Sequence, residues 1–155
     1  MRRISRWPIF TAVVLVLALG GLTSLAIATV RTSFPETSGR LMVSGLKGQV
    51  EVLRDSYGVP HIYADNPEDL FQAQGYVHAQ DRLFQMEMLR RLARGELAEV
   101  LGEKLVDTDR LFRTLRIRDR AVSYIAEQDK QSASWLGLQA YLDGVNQYQD
   151  SRPAP

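Results

Sequence analysis

The chain has 155 residues, 45% of them hydrophobic and 24% charged, with no cysteine and a formal net charge of +1. That length allows one domain of ordinary size, and the missing cysteines exclude a disulfide framework. Without Arg2, Arg3 and Arg6 the 19 basic residues fall to 16 against 18 acidic ones, which argues against nucleic acid as a partner, because such a binder needs a net basic face.

The chain opens with an apolar run. No charged residue lies between Ile9 and Val30, and Arg31 closes the stretch. A run of this length can cross a bilayer as a helix, and its basic start keeps the N-terminus in the cytoplasm and sends the rest outward. Two readings follow. One is an uncleaved inner-membrane anchor, with the lipid bilayer as partner through residues 9–30 and the remainder facing the periplasm. The other is a signal segment cleaved after Ala28 at Ala26-Ile27-Ala28, which releases a periplasmic protein. The run is long for a signal, and this favours the anchor. Residues 1–30 thus form a cytoplasmic tip plus anchor or signal. RTSFPETSGRLMVSGLKG (31–48) has the Gly, Pro, Ser and Thr content of a linker. The folded domain is expected over 49–155.

QVEVLR (49–54) is rich in β-branched residues. DSYG (55–58) has the Asp and Gly of a type I turn, and VPHIYA (59–64) follows as a second strand, so a β-hairpin is expected. Pro60 cannot donate to a ladder and belongs at a strand start or an edge. Asn66-Pro67-Glu68-Asp69 then opens a helix: Asn caps, Pro fits the first position, and the acids suit the positive end of the dipole. The helical pattern runs to Arg94, with Gly95 as its stop and Gly75 marking either a break or a close contact. ELAEVLG (96–102) predicts a short helix, and 107–127 and 132–149 predict two more. The Arg-rich RLFRTLRIRDR (110–120), offset by Asp107, Asp109 and Asp119, reads as a solvated helix with ion pairs.

GYVHAQDRLFQMEMLRR (75–91) sets His78 near Asp81, with Ser56 and His61 upstream. Leu70, Ala73, Val77, Phe84 and Met88 form an apolar stripe, and Gln80 or Asp81 fills the gap in it. A carboxylate on that face needs a partner. His78 is the local candidate and Arg54, on the hairpin, the distant one. A buried polar network fixing the helix to the sheet is favoured over a catalytic dyad, because no nucleophile is tied to the pair. Ser56 lacks the G-x-S-x-G elbow that exposes a hydrolase serine and reads as turn filler. His61 reads as a packed or edge histidine. His61, His78 and Asp81 show no zinc spacing. From its residues alone the chain is α+β: a transmembrane or signal helix, a β-hairpin, then several α-helices, with no complete active site.

VEVLRDSYGVPHIYADN (50–66), GYVHAQDRLFQMEMLRR (75–91), GELAEVLG (95–102) and LQAYLDGVNQY (138–148) come in an order that resembles the N-terminal part of the penicillin acylase family's α chain. The resemblance covers about residues 41–150. On it, Arg54, Asp55, Gly58, Pro60, His61, Gln80, Asp81 and Arg82 are structural motif positions, and no catalytic residue, cofactor site or metal ligand falls in this chain. The resemblance implies an αββα N-terminal-nucleophile hydrolase made as an autoproteolytic precursor. Its nucleophile would be the N-terminal Ser of a β chain absent here, activated by its own α-amino group. Its partners would be a small-molecule N-acyl substrate and that β-chain segment. The complete enzyme would carry a structural Ca²⁺ with ligands beyond Pro155. The chain is expected to be an N-terminal fragment, inactive alone. The rival reading is a membrane-anchored, non-catalytic binding module on the same α-chain fold.

Overall fold

The computed structural model describes residues 7–32 and 34–151. The basic tip 1–6 and the last four residues of the expected domain lie outside them. Residues 1–40 and 41–155 form two units, each compact in itself. The first holds helix α1, Trp7–Thr32, apolar on every side. A helix that is apolar all round belongs in apolar surroundings, the interior of a large protein or a bilayer.

The second unit is mostly helical, with one two-stranded antiparallel hairpin. Strands β1 (Glu51–Arg54) and β2 (Pro60–Tyr63) pair Val52 with Ile62 and Arg54 with Pro60. Pro60 opens its strand, where no ladder donor is lost. The Asp55 amide donates to the Val59 carbonyl, and Gly58 N–H donates to the Asp55 carbonyl at 3.0 Å. Gly58 has φ of +78°, so a turn followed by a left-handed glycine closes the hairpin. The Asp55 carboxylate adds two bonds, accepting from Tyr57 N and Val59 N at 2.8 and 2.9 Å.

Helix α2 spans Pro67–Arg94. Asn66 caps it by accepting from Asp69 N at 2.8 Å. It ends where Glu96 N–H reaches the Arg91 carbonyl and Gly95 N–H reaches that of Leu92, a Schellman closure. The helix does not break at Gly75. Its dihedrals leave the helical region at Arg82 instead (φ −138°, ψ 15°). This kink overturns the continuous stripe. Ala73 and Val77 are buried ahead of it, whereas Phe84, beyond it, is 69% exposed. Beyond the kink Leu83 and Met86 are half-buried in place of Phe84, while Met88 stays half-buried as the stripe has it.

Short helix α3 (Ala98–Leu101) and a 3₁₀ turn (Glu103–Leu105) lead into α4 (Val106–Thr114), α5 (Ile117–Glu127) and α6 (Ala133–Asp150). One helix over 107–127 was expected, and the structure divides it at Arg116, which has φ of +53°. The reason lies in the pattern. Val106, Asp109 and Phe112 are the inward positions of α4, and the next positions in phase are Arg116, Asp119, Arg120 and Ser123. A straight helix would carry this polar set into the packed face. The turn leaves Arg116 paired with Asp119 at 2.8 Å in solvent.

The most extensive packing is α2 against α6. The backbones meet at two glycines. A Cβ at Gly144 would lie 1.9 Å from the Gln72 carbonyl oxygen, and one at Gly75 would lie 1.9 Å from that of Tyr141. Gly75 is therefore a close contact. Ala73, Val77, Ala79 and Tyr148 are the buried apolar residues around this crossing among the described residues, and Tyr76 meets Tyr148 edge to face with centroids 5.4 Å apart.

Candidate functional site

The motif residues converge where the hairpin meets α2. Arg54, at the end of β1, extends its guanidinium along the fork of the Asp81 carboxylate: Nη1 donates to Oδ2 and Nη2 to Oδ1, both at 2.9 Å. Nη2 also reaches Gln80 Oε1, and Nη1 the Gly58 carbonyl, each at 3.0 Å. One guanidinium thus joins strand, turn and helix, a task that needs the planar fork of arginine. The Arg54 and Asp81 side chains are 18% and 25% exposed. Asp81 lies at the rim, just ahead of the kink, and not on a buried face. Its partner is Arg54.

His78 takes a different partner. Its Nδ1 shares a 2.7 Å hydrogen bond with the Tyr141 hydroxyl on α6, whose pKa is raised by burial. His61 Nε2 lies 3.4 Å from Asp55 Oδ2 at the exposed hairpin. The Asp55 carboxyl is held below the usual range by the Val59 N–H, then by Tyr57 and His61. Ser56 occupies the turn and is exposed. Arg82 occupies the kink. Ser56, His78 and Asp81 therefore form no relay: the histidine and the carboxylate that a triad would couple are bonded to two different elements.

Sequence reasoning passed over two carboxylates that organise this region. Asp69, 2% exposed, accepts from Lys47 N and Gly48 N at 2.9 Å and from Asn66 Nδ2 at 2.7 Å. It fastens the end of the stretch expected to be a linker. That stretch is also held at Ser44, whose carbonyl accepts from Gln72 Nε2 at 2.6 Å and from Gln147 Nε2 at 2.7 Å. Asp109 accepts from Leu97 N and Ala98 N at 2.9 Å and so caps α3 from α4. The one available signal was the position of Asp69, three residues after an N-cap. Neither carboxylate suits a cation, because N–H donors already point at their oxygens. No group of metal-ligating side chains assembles among the described residues, so the Ca²⁺ implied by the resemblance enters no step here.

The Lys47 N–H, followed by Asn66 and Gly48, holds the Asp69 carboxyl below the usual carboxylate range. The folded state therefore binds this proton less readily than the unfolded chain does. The stabilisation is full above about pH 4, the unfolded value, and is lost as pH falls through the lower folded one. Urea midpoints of the parent and of Asp69→Asn, followed with pH, should differ clearly at neutrality and converge in acid. An offset that stays constant down to pH 2 would contradict this account.

Comparison with known proteins supplies a family. The family model described as penicillin amidase matches residues 49–155. The penicillin acylase 2 proenzyme of Pseudomonas sp. (strain SE83) is 40% identical over 121 residues, covering 76% of this chain and 15% of that protein. Penicillin G acylase of Escherichia coli is 45% identical over 102 residues, 66% of this chain and 12% of its own length. The acyl-homoserine lactone acylase QuiP of Pseudomonas putida is 34% identical over 149 residues, 94% of this chain and 18% of that protein. The thermostable penicillin G acylase from Alcaligenes faecalis is similar in structure, with a TM-score of 0.56 and 40% identity, over 66% of this chain and 53% of that chain. The chain spans less than one fifth of the length of the curated relatives it matches.

Proposed function

The chain belongs to the penicillin amidase family, and from that premise we propose that it is the N-terminal, α-chain part of an exported acylase precursor. The complete protein hydrolyses the side-chain amide of an N-acyl substrate to a carboxylic acid and an amine. The observation that carries this reading is the family match across 49–155, joined by acylases at 40 and 45% identity. In the proposed reaction a serine at the N-terminus of a later β segment attacks the amide carbonyl. Its own α-amino group takes the hydroxyl proton and passes it to the leaving amine. Backbone amides of the β segment hold the oxyanion. Water then hydrolyses the acyl-serine ester and frees the acid.

Residues 49–151 act in this scheme as scaffold: the hairpin and the helices flank the sheets of an αββα sandwich. Their surface supports the role. Phe84 and Leu89 on α2 are 69% and 65% exposed, and Leu111, Val122 and Tyr124 on α4 and α5 are exposed too. These exposed apolar side chains are available for packing against further polypeptide. A chain of residues 31–155 alone is therefore expected to be inactive and to melt without a cooperative transition; a sharp, reversible melt would count against the scaffold role.

The test is to express the complete reading frame and assay release of amine from an N-phenylacetyl amide and of homoserine lactone from an N-acyl-homoserine lactone. Hydrolysis of either supports the reading, and hydrolysis of neither by a folded, processed protein contradicts it. In the active protein, His78→Gln and Ser56→Ala should keep kcat within about threefold of the parent, because removing a general base costs roughly 10²- to 10⁴-fold. A hundredfold loss in either variant would return these residues to the chemistry.

A further inference from the structure

We propose that α1 is retained in the mature protein as a membrane anchor, with the lipid bilayer as its partner. The inference rests on the reading of the chain as an exported precursor and deepens it, by separating the anchor from the cleaved signal.

Length decides first. The membrane-compatible part of α1 runs from Phe10 to Arg31, 22 residues. At 1.5 Å per residue, Ala28 stands about 27 Å along the helix from Phe10. The hydrocarbon core is about 30 Å thick. The Ala28–Thr29 bond, the one candidate cleavage point, therefore still lies within the hydrocarbon when Phe10 enters at the inner boundary. Arg31, about 32 Å along, is the first charge to reach the outer headgroups. Trp7 precedes Phe10 at the other end, where tryptophan favours the interface. Arg2, Arg3 and Arg6 cluster directly before the span, whereas Arg31, Arg40 and Lys47 are spread along the stretch at and after its end; the denser basic cluster at the start of a first helix orients the N-terminus inward.

The local backbone points the same way. Signal cleavage takes place after a short apolar core of about 7–15 residues, at an accessible small-residue segment. Here the helix passes through Ala26-Ile27-Ala28 without interruption and ends only at Thr32. Three threonine hydroxyls inside the span are also committed. Thr11 Oγ1 donates to the Trp7 carbonyl at 3.1 Å, Thr23 Oγ1 to that of Leu19 at 2.7 Å, and Thr29 Oγ1 to that of Leu25 at 2.9 Å. Polar groups in hydrocarbon have no water to bond, so partners within the helix are what a lasting span requires. The Thr29 bond falls directly on the residue that cleavage would expose. The side chains of Phe10 to Arg31 are all exposed, as a lipid-facing surface is.

The test uses the complete reading frame with its native N-terminus, produced in a host with an inner membrane and a periplasm. Alkaline carbonate extraction separates integral from released protein, and intact mass fixes the N-terminus of the chain carrying residues 41–155. Hydrolysis of an N-phenylacetyl amide is measured in both fractions. The expected result is a carbonate-resistant protein that starts at Met1. A soluble chain starting at Thr29 overturns the anchor, and if that chain hydrolyses the amide the acylase reading survives. A membrane-bound chain starting at Met1 with no hydrolysis sinks the acylase reading and leaves the anchor standing. Ala28→Leu removes the small residue a peptidase needs. A retained anchor predicts unchanged fractionation, and a shift from soluble to membrane-bound overturns the proposal.

Discussion

Gly144→Ala is expected to cost about 3 kcal/mol or more of folding stability and to abolish accumulation of mature protein. The added methyl would sit 1.9 Å from the Gln72 carbonyl oxygen and 2.8 Å from the Tyr76 amide nitrogen. Those atoms belong to the α2 backbone and cannot rotate away as a side-chain tip could. The clash resolves only if α6 lifts from α2, which opens the packing around Ala73, Val77 and Tyr148. Overpacking a core usually costs about 1–3 kcal/mol, and a rigid backbone neighbour places this case at or above the top of that range. Gly75→Ala meets the Tyr141 carbonyl at the same distance and should fail in the same way. Gly137→Ala is the graded control: its methyl would lie 3.0 Å from the Phe71 ring, a half-exposed side chain that can shift. Yield of mature protein and urea midpoint are the readouts. Parent-like stability of Gly144→Ala would mean that the helices do not cross as described.

Arg54→Lys and Asp81→Asn should each destabilise by about 1–2 kcal/mol and couple strongly in a double-mutant cycle. Hydrogen bonds to charged groups contribute about 1.5–3 kcal/mol, and the partial exposure of this pair reduces that figure. Lysine keeps the charge but cannot serve both Asp81 oxygens together with Gln80 and the Gly58 carbonyl. A pin of this kind changes stability and leaves kcat of the surviving enzyme nearly unchanged, whereas a catalytic pair would lower kcat at constant stability. Coupling near zero would show that the fork geometry does not persist in solution.

Local signals made the hairpin and the entry of α2 legible. Asp55 and Gly58 specify the turn through short-range bonds, and Asn66-Pro67 specify a helix start wherever they occur. The exit at Gly95 is of the same kind. The kink at Arg82 was not legible, because arginine carries no breaking tendency of its own. The division at Arg116 left a trace in the polar set Arg116, Asp119, Arg120 and Ser123, but only the fold shows that this set is in phase with the inward positions of α4. The partner of Asp81 was open between His78 and Arg54 for a related reason: three residues along a helix is always a plausible reach, and the fold sends His78 to Tyr141 instead. The roles of Asp69 and Asp109 depend on amides eleven to twenty-two residues away, which no periodicity announces. The stretches R-D-x-x-G-V-P-H-I and A-Q-D-R, on which the resemblance was drawn, supply the two sides of the Arg54 pin.

The central claim is that this chain is the scaffold of an enzyme whose nucleophile lies in a later segment of the same precursor. The most direct measurement is intact mass and N-terminal sequencing of the protein purified from the complete reading frame. Two polypeptides are expected, one containing residues 49–151 and a second beginning with serine, with hydrolysis lost when that serine is replaced by alanine. A single polypeptide that hydrolyses amides without processing, or two chains whose second begins with a residue unable to act as nucleophile, would contradict the account.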